Sequence, residues 1–284
     1  MTLRHLLFLT AIATACGSDD PATTAETTAP DAAGAETTSK TPTEFKFKDE
    51  MLQTSTEEIA LVPSPAEMQR ALTNLGLNSK LSEMVAYRDI KMDSDNNDQI
   101  AVRTGVVIAE LVLTVQDAPK EMLINRLNRL NEGFTKLEAG EDITGVVERL
   151  VTKVTNDAIT REDLVKEMDQ LAGVLVPEIR DEAGAQVVPL IQAGAWLEGA
   201  HLVSGAIDAE QKHEQAASLL RQPVVVAYFK RYVEREGSDK ATDAVLTELR
   251  ATLTVLGEIS DKETMTEEDV KTIHSVTGAV LKLL

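Results

Sequence analysis

The stretch VVPLIQAGAWLEGAHLVSGAI, Val187 to Ile207, decides the fold. Leu190, Ile191, Ala193, Trp196, Leu197, Ala200, Leu202 and Val203 fall on every face of a 3.6-residue helix, so no side of it can be left to water. A helix of this kind belongs either in a bilayer or in the middle of a protein bundle. Glu198 and His201 near its centre decide between the two, because one charge at mid-membrane costs about 2.5–3.5 kcal/mol. The reading is a buried central helix. Gly194, Ala195, Gly199 and Ala200 give it a small-residue surface that another backbone can approach. Gly105 and Ala109, in the stretch 98–116, offer the matching surface, so these two helices are expected to touch.

The chain around this helix is built to cover it. Ala, Leu, Glu, Lys and Val dominate, apolar residues recur three and four apart, and no stretch alternates for long in the strand period. Ser64 is placed to cap a helix that Pro65 opens and Gly76 closes. Further helices are predicted over 98–116, 119–137 and 140–156, and from a capping box that begins at Thr160. Others are predicted over 184–206, 208–221, 223–236, 239–257 and 266–284. The expected fold class is all-α, a single multi-helix bundle over residues 51–284.

Two segments precede the bundle. Arg4 and His5, the apolar run Leu6 to Ala13, and Ala13-Thr14-Ala15 follow one another in the order of a cleaved secretory signal. Residues 1–15 are read as that signal. The lone cysteine, Cys16, stands at the cleavage point, where it resembles the lipobox cysteine of bacterial lipoproteins. The resemblance implies that its thiol is acylated and becomes the new N-terminus. Gly17, where an aspartate would mark inner-membrane retention, leans towards the outer membrane, with the periplasmic and surface-exposed faces both open. Residues 16–50 carry little that is large and apolar, and read as a disordered tether.

Charge and aromatic content narrow the partners. With 28 Lys and Arg against 47 Asp and Glu, the formal charge is −19. Such a surface repels nucleic acid, and 3 % aromatics disfavours stacking platforms for bases or sugars. The expected partners are a membrane, through the lipid, and a protein of the envelope.

Chemistry concentrates on the two small-surfaced helices. Glu110 lies between Ala109 and Leu111, and Glu198 between Leu197 and Gly199. A carboxylate desolvated in this way needs a partner or a proton. Arg103, two turns before Glu110, and His201, one turn after Glu198, share their faces. Two readings stand: a buried Arg–Glu–His group that fixes helix register, or a ligand or catalytic site using Glu110, Glu198 and His201. Glu198-x-x-His201 and Glu210-x-x-His213 also have the spacing used in di-metal helical bundles. Asp93, Asp95 and Asn97 occupy the first, third and fifth places of a calcium loop. Asp98 stands where the turn glycine belongs and Thr104 where the bidentate glutamate belongs, so the loop is at best a weak calcium site. Phosphate-cradling glycine loops, nucleophile elbows and zinc-type His/Cys sets do not occur.

Gly105-Val106-Val107-Ile108-Ala109-Glu110-Leu111 resembles the Gly-Val-Tyr-Gly-Ala-Asp-Leu helix of an all-helical lipoprotein family of Bacteroidetes. Gly194-Ala195-Trp196-Leu197-Glu198-Gly199 is similar to that family's Gly-Gly-Trp-Ile-Glu-Gly segment, and Val62-Pro63-Ser64-Pro65 to its Pro-Ser-Pro opening. The resemblance implies fold and location and carries no activity. The functional expectation is a lipid-anchored envelope protein that binds or scaffolds. Its rival is a carboxylate- or cation-dependent enzyme or receptor.

Overall fold

Caps legible in the sequence set many of the helix ends. In the computed structural model, which describes residues 62–284 apart from 78–79, 176–178, 180–183, 185 and 238–241, Ser64 and Glu67 form a complete capping box at the start of α1 (Pro65–Leu75). Gly76, in the left-handed conformation, closes that helix. The signal segment, Cys16 and the tether lie outside the described residues. A short α2 (Leu81–Val85) follows, then α3 (Asn97–Thr114), α4 (Lys120–Lys136), α5 (Gly140–Thr155) and α6 (Arg161–Gln170). The last turn after α6 widens into a π-helix at Leu171–Leu175. Next come α7 (Val187–Ala209), α8 (Ala216–Leu220), α9 (Pro223–Glu236), α10 (Asp243–Ser260) and α11 (Glu267–Leu281). Among the described residues there is no strand, and the fold is all-α. No helix among them is long and apolar enough to cross a membrane.

The α7 helix is central, as its all-round apolar pattern predicts. Every residue from Val187 to Asp208 is buried or half-buried. Its most extensive contact is with α3, and small residues set the approach. A Cβ on Gly105 would sit 1.9 Å from the Ile191 carbonyl oxygen, and one on Gly194 would sit 2.0 Å from that of Val102. The two backbones therefore touch. Residues 102–106 face 191–195, and Glu110 lies alongside Glu198 further on, so the helices run in the same sense. Leu127, Leu130 and Phe134 of α4, with Val147 of α5, fill one apolar cluster. Leu72 of α1, Phe229 of α9, Leu253 of α10 and Ile273 of α11 fill the other. Both α3 and α7 contribute to each cluster.

One predicted helix is not continuous. The stretch 208–221 divides into the end of α7, a turn, a 3-10 segment at His213–Gln215, and α8. Gln211 adopts a left-handed φ of 54°, which ends α7 and brings Lys212 back against α1. There its ammonium donates to the carbonyls of Leu75 (2.8 Å) and Gly76 (3.1 Å). A cation on the last carbonyls of a helix is favourable on both hydrogen-bonding and dipole grounds. Periodicity alone cannot register that long-range reward.

Candidate functional site: a buried carboxylate and arginine cluster

Glu110 on α3 and Glu198 on α7 point into the seam between the two helices, and both are fully buried. Two guanidinium groups meet them. Arg88, in the loop after α2, contacts Glu198 Oε2 through Nη1, and the same nitrogen is 3.3 Å from Glu110 Oε1. Arg126, on α4, brings Nε within 2.6 Å of Glu110 Oε2. The two Glu110 contacts are ion pairs by distance but lack hydrogen-bonding direction, and Glu198 Oε1 has no hydrogen-bond partner. Of the four side chains Arg88 is the one that reaches water, 24 % exposed against 5 % for Arg126 and none for the acids.

The local structure explains why an arginine loop arrives here. Asp117 accepts from the Ser82 amide (2.9 Å) and hydroxyl (2.8 Å) at the start of α2. At its far end, Arg126 Nη2 donates to the carbonyls of Val85 (3.1 Å) and Arg88 (2.8 Å). A carboxylate at the N-terminus and a guanidinium at the C-terminus suit the dipole of this five-residue helix. Arg126 thus both opposes the charge of Glu110 and fixes the backbone from which Arg88 reaches Glu198.

Burial dominates the electrostatics. It pushes Glu110 up to about 8, with the Glu198 carboxylate adding to the rise and Arg126 and Arg88 opposing it. Burial raises Glu198 as well, against the pull of Arg88 and Arg126. The two acids titrate as a pair.

Two of the expected members belong elsewhere. Arg103 does not join Glu110. Its Nε donates to the Leu284 carbonyl oxygen (2.5 Å) and its Nη1 to that of Lys91 (3.0 Å). Seven residues are about 10.5 Å along a helix, and the Arg88 and Arg126 guanidinium groups already fill the space at Glu110. His201 turns to α11 instead. Its ring stacks on that of His274 with centroids 4.1 Å apart and planes 9° from parallel. Each ring nitrogen Nδ1 meets the other residue's backbone carbonyl, at 3.0 and 2.9 Å. Carbonyl partners make both Nδ1 atoms donors. Burial pushes the His201 imidazole down to about 3, with His274, Arg88 and Lys282 adding to the fall. It is neutral and structural.

The loop at Asp93, Asp95 and Asn97 serves the start of α3. Asn96 accepts from the amides of Asp98 (2.8 Å) and Gln99 (3.3 Å), Asn97 is already helical, and Asp93 lies 3.5 Å from Arg103. Of the three residues that the spacing assigned to calcium, Asp93 lies against Arg103 and Asn97 stands in the first turn of α3.

Sequence reasoning missed Arg88 and Arg126. Arg126 had left a trace: it interrupts the apolar series Leu123, Leu127, Leu130, Phe134 at a core-facing position. Arg88 sits in a loop without any periodic signal. Also missed was a meeting of Asp208, His213 and Glu267, whose ligand-type atoms lie within 4.8 Å of one another. Lys271 already lies 2.5 Å from Glu267 there.

The raised acids predict a pH signature. Unfolded glutamates lose their protons near 4.5, whereas the folded pair holds one to about 8. The stability this contributes is complete below 4.5 and is lost as pH rises through 8. His201 acts oppositely, since the unfolded imidazole charges below about 6.5 while the folded one stays neutral to about 3. Its stabilising effect is lost as pH falls through 6.5. The two slopes oppose one another between 4.5 and 6.5, and above 6.5 the acids act alone. Calorimetry should therefore show Tm falling between pH 6.5 and 8.5, and Glu110→Gln should flatten that fall. An equal slope in the variant would show that the acids are not its source.

A general acid or base must come within hydrogen-bonding reach of the atom it serves. These carboxylates are sealed, and guanidinium groups occupy their approaches. The arrangement can hold two helices in register and store a proton. In comparisons with protein-family models, curated proteins and solved structures, the chain matched none.

Proposed function

We propose that this chain is a lipid-anchored protein of the cell envelope, held at the outer membrane through Cys16, that acts by binding or scaffolding. The observation that supports binding over catalysis is the sealing of Glu110 and Glu198, the two acids best suited to chemistry, between Arg88 and Arg126. The sequence of residues 1–16, with its signal-like succession of charge, apolar run, small residues and cysteine, supports the anchor, as does the resemblance to Bacteroidetes lipoproteins. The acidic segment 16–50 would serve as the tether between the anchor and the bundle while a partner is engaged.

Mass spectrometry of the native N-terminal peptide, together with membrane fractionation, tests the anchor. A diacylated or triacylated Cys16 in the outer-membrane fraction is expected, with Cys16→Ala releasing the protein. An unmodified N-terminus in soluble material would overturn the reading.

A further inference from the structure

A cavity of about 100 Å³ lies among α3, α7, α9, α10 and α11, with Val102, Trp196, Phe229, Leu249, Leu253 and Val280 among its walls. The surface it presents is almost wholly apolar. Protein interiors hold few voids larger than a water molecule, because atoms around a gap lose the contacts that would face them. A gap of this size, beside helices packed as closely as α3 and α7, is a cost that the fold retains. A guest of matching shape would restore the missing contacts.

The chemistry of that guest follows from what the walls can offer. The polar side chains at the cavity's edge are already committed. Arg103 donates to the carbonyls of Leu284 and Lys91, Gln99 accepts from the Ser94 hydroxyl at 2.9 Å, and Asp98 is engaged as well. The Tyr232 hydroxyl has almost no accessible surface, so the ring and not the oxygen meets the cavity. A polar guest would find no partner here, and an unsatisfied polar group in an apolar site is costly. Size sets the second limit. Apolar cavities near 150 Å³ stay dry and take up molecules such as benzene, so this smaller one has room for a single ring and not for a lipid chain. Leu283, also a lining residue, is 48 % exposed, so the wall there reaches the surface and marks a way in.

We infer that this cavity is a binding site for a compact, uncharged and wholly apolar small molecule, about the size of one benzene ring. This rests on the binding reading above and names its ligand class. It is tested without the anchor, so failure of the cavity and failure of the anchor are told apart.

Trp196 is the chain's only tryptophan and lines the cavity, so its emission reports occupancy, and a rise in Tm reports binding to the folded state. The full chain carrying Cys16→Ser, in detergent-free buffer, is titrated with benzene, phenol and naphthalene. Benzene should change Trp196 emission saturably and raise Tm. Phenol should bind at least about fivefold more weakly, since its hydroxyl finds no partner, and naphthalene should not bind. Ala193→Leu sets a larger side chain against the cavity and should abolish benzene binding. Leu253→Ala enlarges the cavity and should admit naphthalene, and circular dichroism checks that both variants fold. No saturable benzene binding, equal binding of phenol, or unchanged benzene binding in folded Ala193→Leu would overturn the assignment.

Discussion

Gly105→Ala is expected to destabilise the bundle by about 3 kcal/mol or more, at or beyond the top of the usual 1–3 kcal/mol cost of overpacking. A methyl group there would lie 1.9 Å from the Ile191 carbonyl oxygen and 2.9 Å from the Ala195 amide nitrogen. Both are backbone atoms within a helix and cannot rotate away. The helices would have to separate along their most extensive contact, loosening the seam that holds Glu110 and Glu198. Gly194→Ala meets the reciprocal obstacle, 2.0 Å from the Val102 carbonyl oxygen, and should cost as much. In a domain of this size each kcal/mol lowers Tm by about 2–4 °C, so a fall near 10 °C is the expected reading. The contrast is Gly145→Ala on α5, where the nearest atom is the tip of Arg149 at 3.4 Å. There alanine's helix propensity should stabilise by up to about 1 kcal/mol. Chemical denaturation of the three variants checks the pattern. Equal effects at 105 and 145 would mean that the close crossing does not exist.

The second large effect is an asymmetry between the arginines and the acids. Arg126→Met removes the partner of Glu110 and the donor to the Val85 and Arg88 carbonyls in one step. Each buried carbonyl left without its donor costs about 1–3 kcal/mol, so the loss of two donors is the main expected cost. Glu110→Gln should cost less than about 1 kcal/mol at neutral pH, because burial already drives that carboxyl towards its protonated form. The double variant Arg126→Met/Glu110→Gln should recover little of the loss, since Glu110 is already largely protonated and the freed carbonyls remain. Urea unfolding of the four proteins forms a double-mutant cycle. If Glu110→Gln proved as costly as Arg126→Met, the pair would be held fully ionised and the proton-storing description would be wrong.

Much of the helical skeleton could be read directly. Ser64, Thr160 and Thr266 each accept from a backbone amide at the start of the helix they cap, because capping depends on residues three positions apart. The all-round apolar pattern at 187–207 implied a central helix, and the small residues at 105 and 194 implied its neighbour. The break at 211–215 was not legible, since it depends on Lys212 reaching α1 across the fold. The candidate site was legible only in part. Two acids in apolar runs announce that something must compensate them, but not what does. Arg103 and His201 share helix faces with those acids, yet neither pairs with one.

Composition, spacing and caps determined that this chain is helical, which helix lies at its centre, and that two acids there would be cut off from water. These properties rest on interactions within a few residues and on the transfer of apolar surface, both of which local sequence encodes. Tertiary structure alone decided which cations meet Glu110 and Glu198. It also decided that His201 stacks on His274 and that Arg103 turns to the Leu284 and Lys91 carbonyls instead of to Glu110. Each of these depends on segments far apart in the chain, and an ion pair or cavity has no period along the sequence by which it could be recognised.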